Sequence, residues 1–299
     1  MQGSATRFSV MGTVIGALAA ASLAACSSGA GTSGQPTQAA PIKPRQIFAA
    51  PKNLLAAGQP QPNGTVWALA GDAASKGLFD IDLGNGSGIG SVSVSNAAKS
   101  VTESLSGVIG LALGTSTAGA LELINGSTGK VTATIPLGAP ARVVTVNSGG
   151  AMFYVLDGTA KSASVTIVNS QNGGVQGTIP VPLNTVSVAP DSPGVSVYAL
   201  QPDGQVSQVA IAGGRIMTRF ATGPGARSIA LSPDGTTLYV LRNAGEDANL
   251  AEVDVATEEV RRVLPAPANT RQVLVSADGN EIYQLVGTSS YGNIQVFYS

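Results

Sequence analysis

A unit of strand, polar turn and strand recurs through the chain with a period of 41 to 44 residues. Its clearest copies are ARSIALSPDGTTLYVL at 226–241 and TRQVLVSADGNEIYQL at 270–285. Four further copies, two of them degenerate, lie at 141–156, 184–200, 98–113 and 51–69. One position of the second strand marks each copy, at Trp67, Leu111, Tyr154, Tyr198, Tyr239 and Tyr283. The spacing predicts six similar units that bury their apolar surfaces against one another.

Each unit continues with two more runs of alternating apolar and polar residues, as in GALELINGSTGKVTATIPL at 119–137. This period-2 alternation, the β-branched residues and the Gly, Asn and Asp turns predict strands throughout. Four strands per repeat of this length are typical of a β-propeller blade. We therefore predict an all-β fold, a single β-propeller over 46–299. It has six four-stranded blades, or seven if the 47–97 region folds differently.

The two ends of the repeat array are incomplete. The last repeat stops after its third strand, at 292–299, and a strand-like segment at 45–49 precedes the first repeat. Pairing these segments would complete the sixth blade and remove an open sheet edge. We expect the N-terminal strand to close the propeller in this way.

Residues 1–25 have the pattern of a bacterial signal peptide, with Arg7 before an apolar stretch at 8–21. That stretch is too short and too rich in Gly and Ala for a convincing membrane span. The Leu-Ala-Ala-Cys segment that ends at Cys26 resembles a bacterial lipobox, which implies cleavage before Cys26 and lipid on its thiol. The alternative is an ordinary signal peptide cut after Ala-x-Ala. Residues 26–45, the lipidated cysteine and the segment after it, are predicted to form a disordered tether, because they contain almost no large apolar side chain.

Composition excludes several kinds of site. The chain has 16 basic and 17 acidic residues, and removal of Arg7 with the signal peptide leaves 15 and 17, a net charge of −2. This near-neutral balance gives no reason to expect nucleic acid as a partner. The chain has no His and one Cys, which excludes an internal disulfide and a Cys-based zinc site. We expect no metal and no cofactor.

Three segments, SPDGTTLYVL at 232–241, AEVDVATEEV at 251–260 and TATIPLG at 132–138, resemble YVTN-type β-propeller repeats. This group includes lactonase-like and haem-d1-like propellers, and the resemblance covers about residues 47–299. It implies the fold and leaves the activity open, because propellers host many unrelated functions. Catalytic members of these groups use Glu, Asn and Asp at the channel mouth, or His. We match no such set and assign no catalytic residue.

The acidic residues have a structural interpretation. Turns such as Ser-Pro-Asp-Gly favour a tight chain reversal, because Pro fixes φ, Asp bonds the nearby backbone and Gly accepts positive φ. We interpret four aspartates as turn formers: Asp191, Asp203, Asp234 and Asp278. Asp80 and Asp82 share a strand face as paired carboxylates would, but we favour the polar positions of an alternating strand.

One position before the innermost strand of each repeat is basic in five copies of six. Its residues are Lys52, Lys99, Arg142, Asn184, Arg227 and Arg271. In a propeller this position would encircle one mouth of the central channel, and a ring of cations there would favour an anion. The alternative is that each cation pairs with a turn carbonyl or a carboxylate of a neighbouring blade.

These observations predict a lipid-anchored protein on the outer face of the bacterial cytoplasmic membrane or in the cell envelope. Its propeller would act as a binding or scaffolding module for an envelope protein or a small anion. A lactonase-like hydrolase is the alternative, and an accessory protein of an envelope redox system is a weaker one. The absence of His and of a catalytic set favours binding over catalysis.

Overall fold

The structure is a computed structural model that describes residues 43–243 and 247–299. The predicted signal peptide, Cys26 and the tether up to residue 42 lie outside the described residues. No helix within the described ranges is long and apolar enough to cross a membrane.

The described residues form six antiparallel sheets of four strands each, which are the blades. Blade 1 consists of β2 (Leu54–Ala57), β3 (Thr65–Gly71), β4 (Lys76–Asp82) and β5 (Gly88–Val94). Blade 2 consists of β6 (Ala98–Glu103), β7 (Val108–Gly114), β8 (Gly119–Asn125) and β9 (Lys130–Leu137). Blade 3 consists of β10 (Ala141–Val146), β11 (Met152–Gly158), β12 (Ala163–Asn169) and β13 (Val175–Pro180). Blade 4 consists of β14 (Ser187–Pro190), β15 (Ser196–Leu200), β16 (Gln205–Ala210) and β17 (Ile216–Ala221). Blade 5 consists of β18 (Ala226–Leu231), β19 (Thr237–Arg242), β20 (Asn249–Asp254) and β21 (Val260–Pro265). Blade 6 consists of β22 (Thr270–Val275), β23 (Glu281–Gly287), β24 (Gly292–Tyr298) and β1 (Gln46–Ala50).

The first strands of successive blades contact one another around a central axis, so they are the innermost strands and line the channel. Strands then follow in chain order outward through each of blades 1 to 5. The prediction of an all-β propeller with six four-stranded blades is confirmed. The alternative of seven blades is wrong.

The N-terminal strand closes the ring, as the sequence predicts. Strand β1 pairs antiparallel with β24, with Phe48 opposite Ile294. The sixth blade thus combines three strands from the end of the chain with one from its beginning. Phe48 is buried in the same apolar cluster as Leu54 of blade 1. Closure therefore adds a fourth strand and also supplies part of the contact between blades 6 and 1.

The core is divided among the six contacts between neighbouring blades. Each contact holds one apolar cluster, and together the clusters join every blade to the next. Five of the clusters contain the marker aromatic of the second strand, namely Trp67, Tyr154, Tyr198, Tyr239 and Tyr283. The repeated aromatic positions of the sequence are therefore packing positions between blades.

Blade 2 departs from this pattern. Its ladder pairs Thr102 with Gly110, and this pair is equivalent to Thr145 with Tyr154 in blade 3. The residue equivalent to the tyrosine is thus Gly110, and the predicted marker Leu111 is one residue out of register. A Cβ on Gly110 would lie 3.2 Å from the ring of Phe153 in blade 3. The fully buried ring of Phe153 fills the space that an aromatic side chain takes in the other five contacts.

The propeller has two faces, which we name by their loops. On the mouth face, loops join the outermost strand of one blade to the innermost strand of the next. On the turn face, tight turns join the first and second strands of each blade. The predicted Ser-Pro-Asp-Gly turn lies on the turn face, where Gly235 has φ 76°, a value that favours glycine.

Candidate functional site

The hydrogen-bond register puts one special residue at the start of each innermost strand. In blades 1, 2, 3, 5 and 6 the ladder skips one residue at this point, so the strand carries a β-bulge. The skipped residues are Leu55, Lys99, Arg142, Arg227 and Arg271. In blade 4 the equivalent residue is Val186, just before the first ladder pair of β14. A bulge residue leaves the ladder and re-aims its side chain, which here puts one side chain per blade at the mouth of the channel.

We call these six residues the mouth ring: Leu55, Lys99, Arg142, Val186, Arg227 and Arg271. Leu55, Val186, Arg227 and Arg271 line one open funnel of about 640 Å³, together with Pro202 and Gly225. Lys99 and Arg142 occupy the same register position in blades 2 and 3, which complete the circle. Lys99, Arg227 and Arg271 are exposed, and Arg142 is half-buried.

The structure corrects two members of the predicted ring. Lys52 lies three residues before Leu55, in the loop that leads into β2, and Asn184 lies two residues before Val186. Asn184 has φ 64°, the left-handed conformation that asparagine tolerates in turns. Both residues are exposed loop residues on the mouth face and are not members of the ring. Asn184 is equivalent to Asn269 of blade 6, which has the same φ of 64° and comes two residues before the ring member Arg271.

The ring cations have few partners of opposite charge. The described residues form three ion pairs, Arg45–Glu281, Arg261–Asp254 and Arg262–Glu252, and none includes the ring. Arg271 donates from Nε to the Gly287 carbonyl oxygen at 2.9 Å. This carbonyl belongs to the same blade as Arg271, whereas the alternative in the sequence analysis is pairing with a neighbouring blade.

Arg142 is more buried than the other cations of the mouth ring. A Cβ on Gly158 would lie 2.9 Å from its Nη2, and its buried Nε has no hydrogen-bond partner. The nearby Asp157 carboxyl accepts hydrogen bonds from Ser164 and Thr166. Burial raises the pKa of Asp157 above its ordinary value, although these bonds and the charge of Arg142 act in the opposite direction. Arg142 thus lies near the buried carboxyl group of Asp157, which already accepts hydrogen bonds from two hydroxyl groups.

A further cation that the sequence did not single out lies beside the ring. The Lys76 Nζ donates to the Ala98 carbonyl oxygen at 2.5 Å, across the contact between blades 1 and 2. Burial lowers the pKa of Lys76, and the charge of Lys99 lowers it further. Two neighbouring ammonium groups therefore raise the positive potential on this side of the mouth.

The channel below the mouth is narrow, because polar groups tie the innermost strands together. The Ser100 Oγ donates to the Val144 carbonyl oxygen at 3.4 Å, and the Ser187 Oγ accepts from the Ile229 amide at 3.3 Å. Gln272 bonds both backbone groups of Ala57, at 2.9 and 3.0 Å. The cavity between the innermost strands measures about 80 Å³, room for a few water molecules. A ligand at the mouth would therefore rest on the funnel and not pass through the channel.

The carboxylates of the predicted turn aspartates accept hydrogen bonds from residues of their own turns. The Asp234 carboxylate accepts from the Ser232 hydroxyl at 2.5 Å and from the Thr236 amide at 3.1 Å. These bonds lower the pKa of Asp234, and the equivalent bonds from Ser276 and Asn280 lower the pKa of Asp278. Carboxylates engaged in this way hold the turns, as the sequence analysis predicts.

The pair Asp80 and Asp82 does not form a joint acidic site. Asp82 accepts from the Gly84 amide at 2.6 Å and from the Asn85 side chain at 2.9 Å, so it belongs to the turn after β4. The buried Oδ1 of Asp80 has no hydrogen-bond partner. Burial, and then the charge of Asp82, raises the pKa of Asp80. Among the described residues no group of three His, Cys, Asp or Glu side chains has the geometry to hold a metal ion.

Glu103, at the turn-face end of β6, is a notable acid that sequence reasoning missed. Its Oε2 is buried and has no hydrogen-bond partner. Burial, and then the charge of Asp80, raises the pKa of Glu103 to about 7. Nothing in the sequence distinguishes this glutamate from an exposed one, because its burial comes from the contact between blades 1 and 2.

A second groove of about 640 Å³ lies between blades 3 and 4, and no charged residue lines it. Its apolar lining includes Met152, Tyr154, Ile167 and Ile211. These residues also belong to the cluster that joins the two blades. The groove is therefore the margin of an interblade core, and the mouth ring remains the candidate site.

Comparison with known proteins defines the fold and no more. No protein-family model matches the chain, and no curated protein matches it. The fold is common among solved structures, of which 1676 chains match. One of them is the hydrazine synthase of Kuenenia stuttgartiensis, with a TM-score of 0.63 and 15% identity over 82% of this chain and 83% of that one. Identity this low supports a shared propeller architecture, and the resemblance to YVTN-type repeats stays a prediction.

Proposed function

We propose that this protein is a lipid-anchored binding protein of the bacterial cell envelope, whose propeller holds an anionic ligand at the mouth ring. One observation carries the proposal: four cationic side chains occupy equivalent bulge positions around one mouth, and none forms an ion pair with a described residue. Repeated cations in a concave funnel focus a positive potential even on a protein of net negative charge.

The anchoring part of the proposal depends on the sequence before the described residues. A thiol lipidated at Cys26 would fix the chain to a membrane, and a tether of 19 residues would span about 24 Å on a root-mean-square basis. The chain enters the propeller at Arg45, where the backbone amide donates to the Val296 carbonyl oxygen and the side chain pairs with Glu281 at 2.5 Å. This entry point is on the turn face. The mouth ring is on the face opposite this entry point.

The ring should be tested by removing charges in matched sets. One variant replaces Arg142, Arg227 and Arg271 with Gln, and a control replaces Lys52, Arg215 and Arg219 with Gln, which removes the same charge outside the ring. Calorimetric titration of the full chain in a nonionic detergent, with citrate and inorganic phosphate as probes, measures binding at low and high salt. We expect salt-sensitive binding by the parent and the control and its loss in the ring variant. Equal loss in the control, or no binding by the parent, would contradict the proposal.

The anchor should be tested separately with Cys26→Ser. We expect the parent chain, expressed in a bacterium, to incorporate a labelled fatty acid and to fractionate with membranes. The variant should take up no label, because the chain has no other cysteine. Label retained by the variant would show that Cys26 is not the lipidated residue.

A further inference from the structure

Two cations of the mouth ring lie side by side in the open funnel, with apolar residues on both sides of them. Arg227 of blade 5 and Arg271 of blade 6 line the funnel. The ring residues of the next blades in either direction, Val186 of blade 4 and Leu55 of blade 1, line it too. No carboxylate among the described residues does so. The funnel therefore offers one pair of cations between two apolar borders.

The cation pair suits a compact anion of two charges. The Nε of Arg271 donates to the Gly287 carbonyl oxygen at 2.9 Å, and Gly287 itself lines the funnel, so this bond holds the guanidinium against the funnel wall. Neither Arg227 nor Arg271 forms an ion pair with a described residue. Each guanidinium presents five donors, most of which remain for a ligand. A phosphate monoester has three acceptor oxygens and a charge near −2, which matches both arginines at once.

The apolar borders suit an organic group attached to that phosphate. Leu55 and Val186 are half-buried, and Pro202 of blade 4 lines the funnel with them. Hydrocarbon placed over these side chains loses contact with water and leaves no polar group unpaired. The funnel volume of about 640 Å³ is within the range of small-molecule pockets. An inorganic anion between the arginines would leave both apolar borders in water.

From this arrangement we infer that the funnel binds a phosphate monoester of an apolar organic group, with its phosphate between Arg227 and Arg271. The organic group lies on the apolar borders that Leu55 and Val186 form. The inference rests on the proposed anion-binding function and specifies its ligand class. The phosphate monoester belongs either to a water-soluble organic phosphate or to a membrane lipid, and the test separates these two sources.

The first test separates the phosphate from the organic group. Hexyl phosphate, inorganic phosphate and hexanoate are titrated into the full chain carrying Cys26→Ser, in buffer without detergent, because alkyl groups partition into micelles. We expect hexyl phosphate to bind at least about tenfold more tightly than inorganic phosphate, which corresponds to about two buried methylene groups. Hexanoate has the same hydrocarbon but one charge, and it should bind more weakly than hexyl phosphate.

The source of the phosphate is tested with vesicles. Phosphatidylcholine vesicles that contain phosphatidate, a phosphate monoester, are compared in a flotation assay with vesicles that contain phosphatidylglycerol, an anionic diester. Flotation of the chain with phosphatidate alone assigns the site to a membrane lipid. Binding of hexyl phosphate without flotation assigns it to a water-soluble organic phosphate.

Paired variants locate the phosphate. Arg227→Gln with Arg271→Gln should abolish binding of hexyl phosphate and of inorganic phosphate. Arg215→Gln with Arg219→Gln removes the same charge from two exposed positions outside the funnel and should leave both affinities unchanged. Thermal unfolding of each variant confirms that it is folded before its binding is compared.

A second pair locates the organic group. Leu55→Ala with Val186→Ala should lower the affinity for hexyl phosphate by at least about threefold and leave that for inorganic phosphate unchanged. Leu105→Ala with Val131→Ala truncates two exposed apolar residues outside the funnel and is the matched control. A loss confined to the alkyl ligand and to the funnel variant is the expected result.

The outcomes distinguish this inference from the proposed function. Equal affinity for hexyl phosphate and inorganic phosphate would overturn the inference and leave anion binding in place, and so would tighter binding of hexanoate than of hexyl phosphate. Binding of an acidic peptide without binding of any phosphate would overturn it in favour of a protein partner. No binding of any anion by the chain with an intact ring would overturn both.

Discussion

Charged side chains have different partners at the turn face and at the mouth face of the propeller. At the turn face, Asp191 accepts hydrogen bonds from the Val195 and Ser196 amides at 2.8 and 2.9 Å, and Asp234 and Asp278 are held by their own turns. At the mouth face, no carboxylate among the described residues is ion-paired with a cation of the ring. The acidic groups of these turns accept hydrogen bonds from them, whereas the ring cations form no ion pair within the described residues. The difference predicts that changes at the turn face alter stability, while changes at the mouth lower binding.

The largest effect on stability is expected from removal of the closing strand. A chain that lacks residues 43–49 loses the β1–β24 ladder and the Phe48 ring, which is buried between blades 6 and 1. Loss of a buried Phe ring alone corresponds to roughly 3–5 kcal/mol. We expect the free energy of unfolding to fall by at least about 4 kcal/mol, measured by denaturant titration with Trp67 fluorescence. An unchanged unfolding midpoint would contradict closure as a stabilising contact.

The second effect depends on pH and comes from Glu103, the turn-face acid without a hydrogen-bond partner. Its pKa is raised from the ordinary 4.5 to about 7, so the folded chain binds a proton that the unfolded chain releases between these values. Stability from this group is therefore present below about pH 4.5 and is lost as the pH rises through 7. The loss corresponds to roughly 3 kcal/mol.

Glu103→Gln removes this titration. We expect the variant to be more stable than the parent at pH 8 and nearly equal to it at pH 5, in the same denaturant titration. Glu259→Gln, at an exposed position, is the control and should have no effect at either pH. A Glu103→Gln effect of equal size at both values would show that the carboxyl does not titrate in this range.

A third effect concerns the turn aspartates themselves. Asp191→Ala leaves the buried Ser196 amide and hydroxyl without their acceptor. We expect a loss of about 2 kcal/mol in the free energy of unfolding. Asp203→Ala, at an exposed turn with one bond from the Gln205 amide, should cost less than about 0.5 kcal/mol. Equal losses at the two sites would break the link between buried turn bonds and stability.

The smallest effect on stability is expected at the mouth. Arg227→Gln with Arg271→Gln changes two exposed side chains, of which one makes a single bond to the Gly287 carbonyl oxygen. We expect the free energy of unfolding to change by less than about 0.5 kcal/mol per site. A loss as large as that of Asp191→Ala would mean that the ring cations hold the fold together, and the contrast between the two faces would fail.

Several features of the fold follow from the sequence because they depend on local pattern. Alternating residues predict the strands, the marker spacing predicts six blades, and the two incomplete ends predict the pairing of β1 with β24. The turn role of Asp234 and Asp278 also follows, since a short Ser-x-Asp-Gly segment contains both the acceptor and its donors.

The site could be predicted only in part. Counting along the sequence gives Lys99, Arg142, Arg227 and Arg271 correctly as equivalent residues, because their loops share one register. It gives Lys52 and Asn184 for the other two blades, where the hydrogen-bond ladder puts Leu55, a bulge residue, and Val186, the residue before the first ladder pair, at the equivalent position.

The sequence by itself determined the four-stranded repeat, the way the ring closes and the presence of cations near one position of the repeat, and the structure excluded a seventh blade. Only the tertiary structure decided which residue of each blade lies at the mouth ring, and in blades 1 and 4 this residue is Leu55 and Val186. It also decided that Glu103 is buried and that Phe153 fills the space beside Gly110. The physical reason is that periodicity is a property of neighbouring residues, whereas ladder register and burial are fixed only when strands pair and separate blades pack together.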